Sequence, residues 1–145
     1  MIENNAMVTV ERTFEAPINL VWQAISEKES MKAWYFDLAE FMAKKGYQFE
    51  FTGGPSPDRQ YVHLCQITEV IPERELTYNW RYKGYKGTSL LTFMLFEQGD
   101  QTLLKLTHSG LDSFPAENSD FAIDNFREGW NHLIHIALTG FLESK

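Results

Sequence analysis

Apolar and polar residues alternate along the first patterned run, Met7 to Glu15. Val8, Val10 and Phe14 share one face with Arg12, while Thr9, Glu11, Thr13 and Glu15 share the other. A period of two with one polar face predicts a half-buried strand. Ala16-Pro17 stops it, and Pro17 suits the first position of a helix, where a missing N–H costs nothing. Ile18, Val21, Trp22 and Ile25 follow at helical spacing, which predicts one short amphipathic helix. Ser30 is placed to cap a second short turn carrying Met31, Trp34 and Tyr35. Between Asp37 and Lys45 the residues Leu38, Phe41 and Met42 keep helical spacing over a short run that ends at Lys44-Lys45-Gly46. Tyr47, Phe49 and Phe51 then alternate with Gln48, Glu50 and Thr52, a strand pattern, and Gly53 to Asp58 is loop by composition.

From Tyr61 the pattern is a strand meander. The first strand, Tyr61 to Ile71, stops at Pro72; the next alternates through Leu76, Tyr78, Trp80 and Tyr82 and turns at Lys83 to Gly87. Thr88 to Glu97 and Thr102 to Ser109 follow, joined by a tight turn at Gln98-Gly99-Asp100, with Leu104, Leu106 and His108 on one face. Short turns between consecutive strands imply antiparallel neighbours. The last segment gives the strongest helix pattern. At ~100° per residue, Ile123, Phe126, Trp130, Leu133, Ile134, Ala137, Leu138 and Phe141 fall in one arc of roughly 140°. Asp124, Glu128, His132, His135 and Thr139 lie opposite. The expected helix starts near Glu117–Phe121, runs to about Leu142, and buries its stripe against the sheet.

Composition narrows the setting. A chain of 145 residues fits one domain over 1–145, and at about this length a core forms without cross-links. Aromatic residues are 14% of the chain, enough ring surface to fill a core or wall an apolar pocket. The net charge of −7 argues against nucleic acid and against an anionic membrane surface. Cys65 is the single cysteine, which suits a reducing compartment. The N-terminal residues lack the pattern of a secretion signal, and no apolar run approaches the ~18 residues of a membrane span. Cytoplasmic residence without membrane insertion is the expectation.

Candidate chemistry is sparse. His132 and His135 have a spacing zinc can use, but they lie on the helix's polar side and lack a third ligand, so two solvated histidines is the better reading. His63 and Cys65 share a strand face, where packing is the simpler role. No nucleophile elbow or phosphate-binding loop occurs, and Lys86-Gly87-Thr88 reads as a turn. His108, on an apolar face, is more often a hydrogen-bonded core histidine than a proton-transfer group. Arg12 in an inward phase must pair, snorkel or meet a polar ligand group. Gly129 inside a helix suggests close approach of another backbone or a ligand, with close packing favoured. Arg81, Lys83 and Lys86 around one hairpin read as solvated turn charges.

Several motifs, in order along the chain, carry a resemblance. Arg12 to Pro17 with Val21 to Ile25, Lys32 to Tyr35, Gly46 to Phe51, Glu69 to Pro72 with Leu76 to Trp80, Leu104 to Gly110, and Gly129 to Leu133 together resemble one family. It is the START-like (SRPBCC, birch-pollen-allergen-like) helix-grip superfamily, in the branch named after the activator of heat shock protein 90 ATPase. The resemblance implies an α+β helix-grip fold: a seven-stranded curved antiparallel sheet around a long C-terminal helix, with two short helices after the first strand. It turns Glu40–Ala43 into the seventh strand, hairpinned to Tyr47–Gly53, against the local helical spacing. It also implies a cavity between sheet and helix, lined by Tyr35, Tyr78, Trp80, Phe93, His108, Phe126 and Trp130, with Trp34 near its mouth. Where Tyr35 stands the family often has a tryptophan, so this chain adds a hydroxyl there.

The leading expectation is a module that binds a small hydrophobic or amphipathic ligand, with no metal or cofactor and no catalytic residue, and compatible with a homodimer. Pocket acid–base chemistry by His108 with Tyr35, Tyr78 or Arg12 is the enzymatic alternative. A chaperone-interaction role ranks last, because a fold carries no function by itself.

Overall fold

The structure, a computed structural model, describes residues 7–36, 38 and 40–144. Strand β1 (Val8–Phe14) leads into helices α1 (Ile18–Ser26) and α2 (Lys28–Trp34). Five strands follow: β2 (Gln48–Ser56), β3 (Arg59–Ile71), β4 (Glu75–Tyr82), β5 (Ser89–Gln98) and β6 (Gln101–Ser109). Two 3₁₀ turns, Leu111–Ser113 and Ser119–Phe121, lead to α3 (Ile123–His132), a π-helical stretch (Leu133–Leu138) and α4 (Thr139–Glu143).

The strands form one antiparallel sheet in the order β1-β6-β5-β4-β3-β2. Every inward residue the alternation marked on β4 and β6 is buried: Leu76, Tyr78, Trp80, Tyr82, Leu104, Leu106 and His108. Register breaks in β3 between Ile67 and Glu69, and in β2 between Gly53 and Ser56, mark bulges. A bulge bends its strand and adds twist, and the sheet accordingly curls around the C-terminal helix. This is the helix-grip fold.

The sheet has six strands among the described residues, not seven. Glu40–Ala43 is neither strand nor helix. Leu38 and Phe41 are buried there, Phe41 packing edge-on against Phe49 at 5.1 Å. The N–H of Gly46 donates to the Ile67 carbonyl at 2.7 Å and that of Ile67 to the Tyr47 carbonyl at 2.9 Å. The β3 backbone is thus served by Gly46 and Tyr47, and side-chain burial rather than a ladder holds the segment before them. Asp37 and Ala39 lie outside the described residues.

Smaller departures are local. Pro17 is the N-cap of α1, not its first residue, and α2 starts at Lys28 with Glu27 as N-cap, leaving Ser30 inside the helix. Strand β2 runs on through Gly53 to Ser56, where a loop was expected. Gly87, in the expected turn, needs to be glycine: its φ is +109°, and a Cβ there would stand 2.6 Å from the Ser113 carbonyl oxygen.

The C-terminal helix begins at Ile123, later than the sequence suggests, and its buried positions step by four: Trp130, Ile134, Leu138 and Leu142. In an α-helix four residues turn about 400°, so such a row drifts by about 40° per step. The wider π-helical turns from Leu133 to Leu138 take up part of that drift. Leu142 is therefore buried in the position the even wheel assigns to Phe141, which is only half-buried. The Thr139 hydroxyl donates to the Ile134 carbonyl at 3.0 Å. Among the described residues no helix is long and apolar enough to cross a membrane.

Candidate functional site

A cleft of about 470 Å³ opens between α3, the β2–β3 hairpin and the 3₁₀ turn before α3. Phe36, Trp80, Phe126 and Trp130 supply its aromatic wall, and His63 and Tyr82 add buried polar groups. Gly54, Pro55, Asp120, Glu128, Gly129 and His132 also line it. Gly129 is not packed against another backbone, as its place in a helix suggested. It is exposed, and a Cβ there would meet nothing within 4 Å.

Two of the wall rings are fixed from behind by His108, which is fully buried. The indole N–H of Trp130 donates to His108 Nδ1 at 3.0 Å. An indole nitrogen cannot accept, so the imidazole hydrogen sits on Nε2. Nε2 therefore donates to the Ser89 hydroxyl at 2.7 Å, and that hydroxyl donates to the Trp80 carbonyl at 3.0 Å. Burial, aided by nearby His63, pushes the His108 pKa down to about 3. Both ring nitrogens are occupied, so His108 is a structural group behind the wall.

His63 sits opposite Tyr82 in the β3–β4 ladder and stacks on Phe51 at 4.4 Å. Its Nδ1 donates to the Tyr61 carbonyl at 3.0 Å. Burial drives its pKa down to about 4, against the pull of the Tyr61 and Phe51 carbonyls. Tyr82 accepts the Trp80 indole N–H at 2.9 Å, and burial raises its pKa.

At the mouth, Asp120 Oδ2 accepts from the Tyr61 hydroxyl at 2.6 Å and from Arg59 Nε at 2.9 Å. Asn118 donates to the Tyr61 oxygen at 3.2 Å. These bonds tie the start of β3 to the Ser119–Phe121 turn. They hold the Asp120 carboxyl below its usual range, the Tyr61 bond first and Arg59 second.

Of the eight residues the sequence nominated, the structure brings Trp80, Phe126 and Trp130 to the cleft. The other five are behind it. Trp34 is buried away from any mouth, its indole N–H donating to the Ala24 carbonyl at 2.7 Å and pinning α2 to α1. Tyr35 and Tyr78 share a 2.8 Å hydroxyl–hydroxyl bond, and burial raises both pKa values well above normal. Phe93 packs edge-on to Trp130 at 6.3 Å, and His108 is the support described above.

Sequence reasoning missed Phe36, Tyr82 and the role of His63. The last two stand in the inward phase of their strands, a signal that marked them for burial but not for the cleft. Among the described residues Arg12 pairs with no carboxylate; its Nη1 is 3.4 Å from His135 Nδ1, and His135 is half-buried rather than solvated. Cys65 is buried, and burial raises its thiol pKa. Among the described residues no three of His, Cys, Asp and Glu cluster as a metal would need.

Residues 15–143 match the family model described as "Activator of Hsp90 ATPase homolog 1-like protein". The chain belongs to this family. No curated protein sequence matches it. Among solved structures, this Hsp90-activator-like chain is similar to the Mll3558 protein of Rhizobium loti, with a TM-score of 0.80 and 22% identity over 94% of this chain and 96% of that one. CalU16 of Micromonospora echinospora aligns with a TM-score of 0.73 and 24% identity over 94% of this chain and 75% of its own. DynU16, from the dynemicin biosynthetic locus, aligns with a TM-score of 0.74 and 20% identity, and the chain spans 47% of its length. These likenesses concern the fold.

Proposed function

We propose that residues 1–145 are one cytoplasmic domain that binds, without transforming, a small apolar or amphipathic molecule in the cleft between α3 and the sheet. The observation that carries this reading is the cleft itself. Its volume of about 470 Å³ lies within the range of roughly 300–1,000 Å³ for ligand pockets. Aromatic rings wall it, and the open side of Gly129 leaves room on the helix. Acid–base catalysis fits poorly, because His108 is committed on both nitrogens and burial lowers the His63 pKa to about 4, which makes it a weak base and leaves it no proton to give as an acid near pH 7. The test is native mass spectrometry of the purified protein, followed by extraction and identification of what it retained. A stoichiometric small amphiphile supports the reading. A chain that retains nothing and shows no thermal shift with apolar compounds overturns it.

A further inference from the structure

Two hydrogen-bonding valences on the cleft wall are left without partners, and they are neighbours. The Tyr82 hydroxyl accepts the Trp80 indole N–H, so its own hydrogen remains to be given, and no described residue accepts it. The Tyr61 carbonyl can only accept, so His63 carries its hydrogen on Nδ1 and a lone pair on Nε2. No described residue donates to that lone pair. Both side chains belong to buried residues, His63 7% and Tyr82 5% exposed, and their ring centroids are 4.8 Å apart. The low His63 pKa keeps Nε2 an acceptor at neutral pH.

Among the described residues no fully buried side-chain nitrogen or oxygen lacks a partner, so water can reach these groups on the cleft wall. A ligand that displaces that water without replacing its hydrogen bonds loses about 1–3 kcal/mol per group. A hydroxyl satisfies both at once: its oxygen accepts from Tyr82 and its hydrogen goes to His63 Nε2. An ether or ketone can only accept, which leaves the histidine bare. A carboxylate also brings charge to a cleft whose lining holds the carboxylates of Asp120 and Glu128 and no lysine or arginine. Arg59, close by, is bound to Asp120. The walls, four aromatic side chains, favour a flat apolar body.

We propose that the cleft takes an uncharged molecule with a flat apolar body and a hydroxyl, the hydroxyl seated between Tyr82 and His63. This rests on the ligand-binding reading above and adds the polar end of the ligand.

Isothermal titration calorimetry at pH 7 with naphthalene, 2-methoxynaphthalene, 2-naphthol and 2-naphthoate tests it. The naphthol is expected to bind about tenfold tighter than naphthalene and the methoxy compound, the worth of one to two neutral hydrogen bonds. The naphthoate is expected to bind more weakly than naphthalene. Tyr82→Phe should erase the naphthol advantage, bringing the variant's affinities for naphthol and naphthalene within about threefold of each other. The ratio is read within each protein, because the variant also frees the Trp80 indole N–H in the wall. If Tyr82→Phe does not fold, the ranking of the four compounds on the natural chain decides. Equal binding of all four, or tightest binding by the naphthoate, overturns the hydroxyl inference and leaves the ligand-binding reading standing. Failure of all four to bind overturns both.

Discussion

Acid should unfold this protein through two histidines before its carboxylates titrate. His63 and His108 have folded pKa values near 4 and 3 because burial disfavours the imidazolium. In the unfolded chain each returns to about 6.5. Between those values the unfolded chain binds more protons than the folded one, so stability rises with pH and is lost as pH falls through the window. From pH 7 to pH 5 each histidine accounts for about 2 kcal/mol, about 4 kcal/mol together. That is a large share of a typical total of about 5–15 kcal/mol. Urea unfolding followed by tryptophan fluorescence at pH 7, 6 and 5 reads the loss directly. The His108→Phe variant isolates one of the two groups. At pH 7 it should be less stable by about 1–3 kcal/mol, since Trp130 loses the acceptor of its indole N–H. Its further loss on going to pH 5 should be about 2 kcal/mol smaller than that of the natural chain. Identical losses in the two proteins, or a natural chain equally stable at pH 7 and pH 5, would refute the account.

Other expected outcomes are simpler to read. Gly129→Leu should block ligand uptake in fluorescence titrations while raising the melting temperature slightly, because helix propensity improves by roughly 1 kcal/mol and nothing stands in the way of the new Cβ. Unchanged uptake would remove Gly129 from the cleft. Trp34→Phe should cost about 1–3 kcal/mol in urea unfolding by leaving the buried Ala24 carbonyl unpaired, with ligand affinity unchanged. Gly87→Ala should destabilise by more than Gly84→Ala, measured by the same unfolding: both have positive φ, but only Gly87 has a carbonyl oxygen in the path of its Cβ.

The inward phase of the strands was legible because period two depends only on the pleat. Val8, Tyr78, Trp80, Leu106 and His108 are buried as their alternation requires. The cleft was less legible, because the same inward phase contains both core and wall. What separates Tyr78 from Trp80 and Tyr82 is where the curled sheet lets the helix come close. That depends on bulges, such as the one after Ile67, which no periodicity announces. Phe36 lies just past α2, outside any periodic run. Glu40–Ala43 defeated both local spacing and family resemblance, since the burial of Leu38 and Phe41 fixes that segment. The even helical wheel likewise could not register a π-helical stretch, and so chose Phe141 over Leu142.

The burial of Cys65 gives the molecule a built-in clock. It is the chain's only thiol, it is 4% exposed, and it faces Trp80 across the ladder behind the cleft. A thiol reagent can reach it only when β3 opens, so each labelled molecule records one opening event. At low reagent the labelling rate follows how often the open form is populated, and at high reagent it follows how fast that form appears. Occupancy of the neighbouring cleft slows the clock to the extent that the ligand favours the closed chain.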